Sequence, residues 1–96
     1  MTWLDNELPE TSKAFAQMRS SIFKDGALDT KTKELIAVAA ANLLRCDPCM
    51  RIHAKRAMEE GATKKQIAEA MAVSMFIAGG TQALWSSAHE DILADE

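Results

Sequence analysis

Aromatic residues are scarce in this chain, at 5% of its length with no tyrosine. Hydrophobic residues still make up 48%, so the apolar surface comes mostly from Ala, Leu, Ile, Val and Met, a mixture suited to close helix packing. No segment shows convincing strand alternation, and no repeat or low-complexity tract appears, so the fold reads as all-α. Long apolar runs are also missing. Leu35–Ala41 and Ala70–Ala78 fall well short of the roughly 20 residues that span a bilayer, and no membrane partner is expected. Basic residues are not in excess: 11 Lys and Arg against 14 Asp and Glu give a net charge of −3. That balance leaves no electrostatic case for nucleic acid or an anionic membrane. The opening M-T-W-L-D-N-E-L-P-E is polar and acidic rather than basic then apolar, unlike a secretory signal. A cytoplasmic location is expected.

Ninety-six residues predict one domain, residues 1–96, with no room for a second core. So short a chain buries only about 60–65% of its unfolded surface and is marginal alone. Some apolar surface is therefore expected to pack against other copies. About five helices are predicted. Pro9 and Glu10 open the first, which runs to Phe23 with Phe15, Met18 and Ile22 at helical spacing, and Lys24-Asp25-Gly26 ends it. Asp29 caps the second, Thr30 to about Leu44, with Leu35, Ile36, Ala39 and Leu43 expected inward. Pro48 suits the first turn of a third helix, which Gly61 ends near Glu60. Thr63-Lys64-Lys65-Gln66 reads as a capping box for a fourth, to about Ala78. Its half Met71–Ala78 is apolar nearly all round, which implies burial on several sides and hence a subunit interface. Gly79-Gly80 is expected to break the chain before a last helix, Thr81 to about Leu93, carrying Leu84, Trp85 and Ile92. Trp3 is expected to anchor the N-terminal segment, and Trp85 to pack in the last helix.

Cysteine is nearly absent, and the two present, Cys46 and Cys49, stand in one C-x-x-C. In a reducing compartment such a pair is more often catalytic or metal-binding than a structural staple. Thiol chemistry needs a thiolate, and a helix N-terminus stabilises one through its free N–H groups and dipole. His53 lies one turn beyond Cys49 on the same face and can take its proton. Asp47 opposes a thiolate, so a modest net effect is expected. Glu34, a carboxylate inside an apolar helix, needs a partner or a task. In an antiparallel hairpin turning near Arg45, Glu34 lies one turn from the position facing His53, an offset of roughly 6 Å. A Glu34–His53–Cys49 proton relay is then reasonable. The competing readings are a Glu34 salt-bridged to Lys31 or Lys33, and a zinc site in which Cys46, Cys49, His53 and His89 supply ligands. His89, beside Glu90 and Asp91, reads rather as solvent-facing, and no cofactor or metal is expected.

Glu34, eleven residues, Cys46, two residues, Cys49, three residues, His53 resembles the signature of the alkyl hydroperoxidase D-like proteins of the carboxymuconolactone decarboxylase superfamily. The flanks Leu28–Ile36, Glu59–Thr63 and Gly79-Gly80 are similar as well, and the likeness runs from about Ala27 to Ala88. The resemblance implies an all-α fold assembled as a homotrimer or homohexamer. It implies that Cys49 reacts with peroxide, that Cys46 resolves the product to a disulfide, and that Glu34 and His53 relay protons. A dithiol protein, lipoyl-bearing or thioredoxin-like, would reduce the pair again, and the substrate would be a small peroxide or disulfide. Peroxidase-type members often carry histidine just before the second cysteine. Here that position is Pro48, which makes C-D-P-C look more like a general disulfide redox centre. A lactone decarboxylase is the weaker family reading, because those enzymes lack the paired cysteines. A redox-sensing or zinc-holding helical oligomer is the non-enzymatic one.

Overall fold

The computed structural model describes residues 1–94. Five α-helices follow in order, α1 Thr2–Glu7, α2 Pro9–Phe23, α3 Thr30–Leu44, α4 Asp47–Glu59 and α5 Lys64–Ser87, and a 3₁₀ turn Glu90–Leu93 follows them. No strand occurs among the described residues, and the fold is all-α as expected.

Local chemistry accounts for most of the helix ends. Asp29 caps α3 by accepting the Thr32 N–H at 2.8 Å. Thr63 and Gln66 form the reciprocal capping box of α5, at 3.1 and 3.0 Å. Gly61, at φ 95°, ends α4. There the Ala62 N–H reaches the Ala57 carbonyl and the Gly61 N–H that of Met58, both at 2.9 Å, the double bond pattern of a Schellman end. Ala57 and Ala62, which flank that turn, are both buried.

Three expectations need correction. Gly79-Gly80 does not break the chain; α5 runs through it for 24 residues, and neither glycine has positive φ. A mid-helix glycine costs about 1 kcal/mol relative to alanine, a penalty that a long run of strong helix formers absorbs. The uninterrupted α5 is in consequence long and apolar enough, by length and composition, to cross a membrane, which the split reading did not anticipate. The inward face of α3 is also different. Glu34, Val38 and Ala41 are buried, whereas Ile36 and Leu43 are about half exposed. Small side chains let helices approach closely, and here the close approach selects Val38, Ala41 and Ala57 over the larger residues. Finally, a short α1 precedes α2, and its buried residue is Leu4. Trp3 is largely exposed, so it does not serve as the expected anchor within one copy, and Trp85, exposed as well, packs on His89.

The core lies where α3, α4 and α5 meet and holds Val38, Ala41, Ala57, Ala62 and Ile67. Asn42 on α3 donates to the buried Ser74 hydroxyl on α5 at 2.8 Å, and Ser74 donates to the Met71 carbonyl at 2.9 Å. That bond sets the register of α5 on α3. Outside this core the chain is open. α2 buries no residue, and its stripe Phe15, Met18, Ile22 is half exposed. On α5, Val73, Met75, Phe76 and Ile77 are likewise exposed within one copy. The chain spans 60 × 37 × 24 Å with a radius of gyration of 18.3 Å, against about 12.5 Å for a compact domain of this length. Its accessible surface is 7657 Å², where a folded monomer of this mass exposes about 5,400 Å².

Candidate active site

α3 and α4 fold back on each other through two residues, and their sequence dictates the turn. Arg45 takes the left-handed conformation, φ 55° and ψ 43°. Its N–H reaches the Asn42 carbonyl at 3.3 Å, and the Cys46 N–H reaches that of Ala41 at 3.0 Å. This is again a Schellman end, with arginine where glycine usually stands. It lets Cys46 cap α4 at once, its sulfur lying 3.4 Å from the Cys49 N–H, while Pro48 occupies the first turn. Cys46 and Cys49 are bonded as a disulfide with Cα atoms 5.3 Å apart, a separation ordinary for such a bridge. Both are partly accessible.

One turn further along α4, His53 Nδ1 lies 2.6 Å from Glu34 Oε2 on α3. The Glu34 side chain is 4% exposed and that of His53 18%. The bond spans directly the offset of roughly 6 Å expected for the hairpin. An ionised carboxylate only accepts, so Nδ1 donates to Glu34 and Nε2 is left as the free ring nitrogen. Cys49 lies one helical turn before His53 on α4, on the same face. Neither lysine next to Glu34 pairs with it. Lys33 Nζ instead donates to the Ile22 and Lys24 carbonyls, at 2.8 and 2.7 Å.

The charge of Asp47, which would oppose a thiolate, is engaged by Arg51 in a two-pronged contact at 3.2 and 3.0 Å. That hydrogen bond, more than the charge attraction itself, holds the Arg51 guanidinium above its usual range. His89 stands apart from the pair. It is exposed, its Nδ1 lies 2.9 Å from the Trp85 carbonyl, and its ring packs on Trp85 at 4.6 Å. No three His, Cys, Asp or Glu side chains among the described residues are grouped to hold a metal ion.

Sequence reasoning missed Phe23, whose ring stacks on His53 with centroids 5.4 Å apart and planes 18° from parallel. Its carbonyl is tied to the Thr30 hydroxyl at 2.7 Å, so the α2–α3 junction places the ring. Nothing in the sequence marks it, because a phenylalanine closing a helix looks like any other.

The sequence pattern of the carboxymuconolactone decarboxylase family matches residues 9–89. Uncharacterized protein 4 in the cox locus of Paracoccus denitrificans is 44% identical, over 76% of this chain and 72% of the relative. A crystal structure of a Methanobacterium thermoautotrophicum protein superposes with a TM-score of 0.81 at 40% identity, covering 86% of this chain and 93% of the other. The Corynebacterium kroppenstedtii protein named alkyl hydroperoxide reductase AhpD is 33% identical over 70% of this chain, a stretch that makes up 38% of that longer protein.

Proposed function

The chain belongs to the carboxymuconolactone decarboxylase family, and from that premise we propose that it is a thiol-dependent oxidoreductase of the alkyl hydroperoxidase D-like kind, acting on a small peroxide or disulfide. The juxtaposition that carries the reading is a buried Glu34 held 2.6 Å from His53, one turn from a Cys46–Cys49 pair at bonding distance. The AhpD-named relative supports the same class.

With a peroxide, His53 Nε2 takes the proton of the reduced Cys49 thiol. The thiolate attacks one peroxide oxygen, an S–O bond forms, and the O–O bond breaks. The leaving alkoxide takes the proton from His53 and departs as an alcohol, which leaves Cys49 as a sulfenic acid. The Cys46 thiolate then attacks the Cys49 sulfur, forms the S–S bond and expels hydroxide, which is protonated to water. Peroxide has gained two electrons and the cysteine pair has lost two. A protein dithiol, lipoyl-bearing or thioredoxin-like, returns them and becomes a disulfide itself. Glu34 holds the Nδ1 proton throughout and stabilises the transient imidazolium. Pro48 suits the pair equally to exchange with a small disulfide, where Cys49 attacks sulfur instead of oxygen.

The working form in this reading is a homo-oligomer, a trimer or hexamer. Its support is the excess of about 2,200 Å² over a compact monomer's surface, more than twice the roughly 800 Å² that each partner contributes to a standard interface. The exposed apolar residues of α2 and α5 would fill that area. Another copy suits α5 better than a bilayer, because Glu69 places a charge within its apolar stretch and Ser74 is bonded to Asn42.

Intact mass of the reduced protein, before and after one equivalent of hydrogen peroxide or an alkyl hydroperoxide, tests the chemistry. Loss of two hydrogens within seconds, reversed by a dithiol, is expected. Cys49→Ser should abolish peroxide consumption, and Cys46→Ser should leave a trappable sulfenic acid on Cys49. No mass change within minutes would overturn the redox reading, and loss of all thiol reactivity in Cys46→Ser alone would reverse the two roles.

A further inference from the structure

A pocket of about 330 Å³ opens beside the Glu34–His53 pair, lined by Arg19, Ser20, Phe23, Lys24, Glu34 and Arg56. Three cations converge on it, from α2, from its C-terminal cap and from α4, in a chain whose net charge is −3. Among the described residues none of Arg19, Lys24 and Arg56 lies within 4.0 Å of a carboxylate, and none donates a side-chain hydrogen bond to the protein. The one acid on the wall, Glu34, is already engaged by His53.

A helix C-terminus ordinarily repels anions, because its last carbonyls are free. Here the two last helical carbonyls and that of the cap residue are covered. Lys33 Nζ takes the Ile22 and Lys24 oxygens, and the Thr30 hydroxyl takes that of Phe23. Lys33 also brings a fourth positive charge to the end of α2. The negative character of the end of α2 is thus partly offset, with cations beside it. Two guanidinium groups offer planar forks matched to an oxyanion.

We propose that this pocket is an anion-binding site, taking the phosphate or carboxylate group of a small molecule. The site stands without the redox chemistry. That the anion is the acid end of the substrate would rest on the proposed function; a free inorganic ion is the other source of the same group. Phe23 and Glu34 both line the pocket, and Phe23 stacks on His53, so an occupant borders the proton relay.

The test is an NMR titration of the full-length disulfide form with inorganic phosphate, with propionate, and with neutral propionamide. Saturable shifts of the Phe23 ring and the Arg56 side chain are expected with one or both anions and not with the amide. Arg19→Gln and Arg56→Gln should each weaken binding by about tenfold, the worth of one charge-assisted hydrogen bond. Lys55→Gln, on another face of α4, should leave it unchanged. Arg19 is exposed, so that variant keeps the test valid if Arg56→Gln fails to fold. No saturable shift with either anion at tens of millimolar, or shifts that persist equally in both variants, would overturn the site. Reduction rates for a carboxylate-bearing hydroperoxide and its neutral amide then separate the sources. A carboxylate advantage lost in Arg19→Gln identifies the substrate's acid end, while equal rates with intact phosphate binding identify a free ion. A protein that binds anions but reduces no peroxide or disulfide would sink the redox reading and leave the site standing.

Discussion

Replacing Glu34 by glutamine removes one charge and keeps the shape. The substitution touches a side chain 4% exposed whose one hydrogen-bond partner among the described residues is His53, at 2.6 Å. The charge-assisted bond is worth about 1.5–3 kcal/mol, but its loss is offset in the resting fold, because an amide costs far less to bury than a carboxylate. The glutamine oxygen can still accept from Nδ1. Net stability should therefore change by less than about 1 kcal/mol. In the transition state the balance differs. His53 becomes an imidazolium as it takes the Cys49 proton, and only a carboxylate stabilises that charge. If the same 1.5–3 kcal/mol appears there, the rate of disulfide formation falls by about 10- to 150-fold, which reaches the lower end of what general acid–base catalysis contributes. The assay is rapid mixing of reduced protein with peroxide, acid quench, alkylation and intact mass, beside urea unfolding of the same variant. A rate within twofold of the parent in a stably folded Glu34→Gln would refute the relay. A stability loss above about 3 kcal/mol with an unchanged rate per folded molecule would make Glu34 a structural ion-pair partner.

Arg45→Gly should stabilise the protein by about 0.5–1 kcal/mol in urea, since a left-handed arginine is strained and glycine is not; a loss would show that the arginine side chain makes a contribution of its own. The Asp29 carboxylate is held below its ordinary value of 3.8, chiefly by its hydrogen bonds from Thr32. Its contribution is therefore complete above that value and fades as pH falls through the lowered one. The stability gap between parent and Asp29→Asn should stay constant from neutral pH to about 5 and close at stronger acid, and a gap that widens on acidification would contradict the cap. Phe76, 76% exposed within one copy, should be covered in the assembly. Phe76→Glu is expected to lower the mass seen by light scattering, and an unchanged oligomer would place the interface elsewhere.

Much of the fold was legible because its punctuation is chemical and local. Asp29, Thr63 with Gln66, Gly61 and Pro48 each satisfy or terminate backbone hydrogen bonds within a few residues, so the type of residue suffices to read them. The candidate site was legible for a related reason. The spacing of Cys46, Cys49 and His53 along one helix places them on one face whatever surrounds it, and a lone acid in an apolar helix signals a partner. Gly79-Gly80 misled because glycine permits a break without requiring one. Continuity there depended on the whole length of α5.

What the sequence by itself determined is therefore the set of helices α2 to α4, most of their ends, and the face that carries the thiols and the imidazole, because these follow from bonds within one or two turns. Tertiary structure decided the rest. It chose Val38 and Ala41 over Leu35 and Ile36 for the core, since close helix approach depends on the shape of the facing helix. It brought Glu34 to His53 across nineteen residues, laid Phe23 on that imidazole, and turned Lys33 from Glu34 to the end of α2. Each of these is a contact between residues remote in sequence, and only the packing of one helix on another can choose among the partners available.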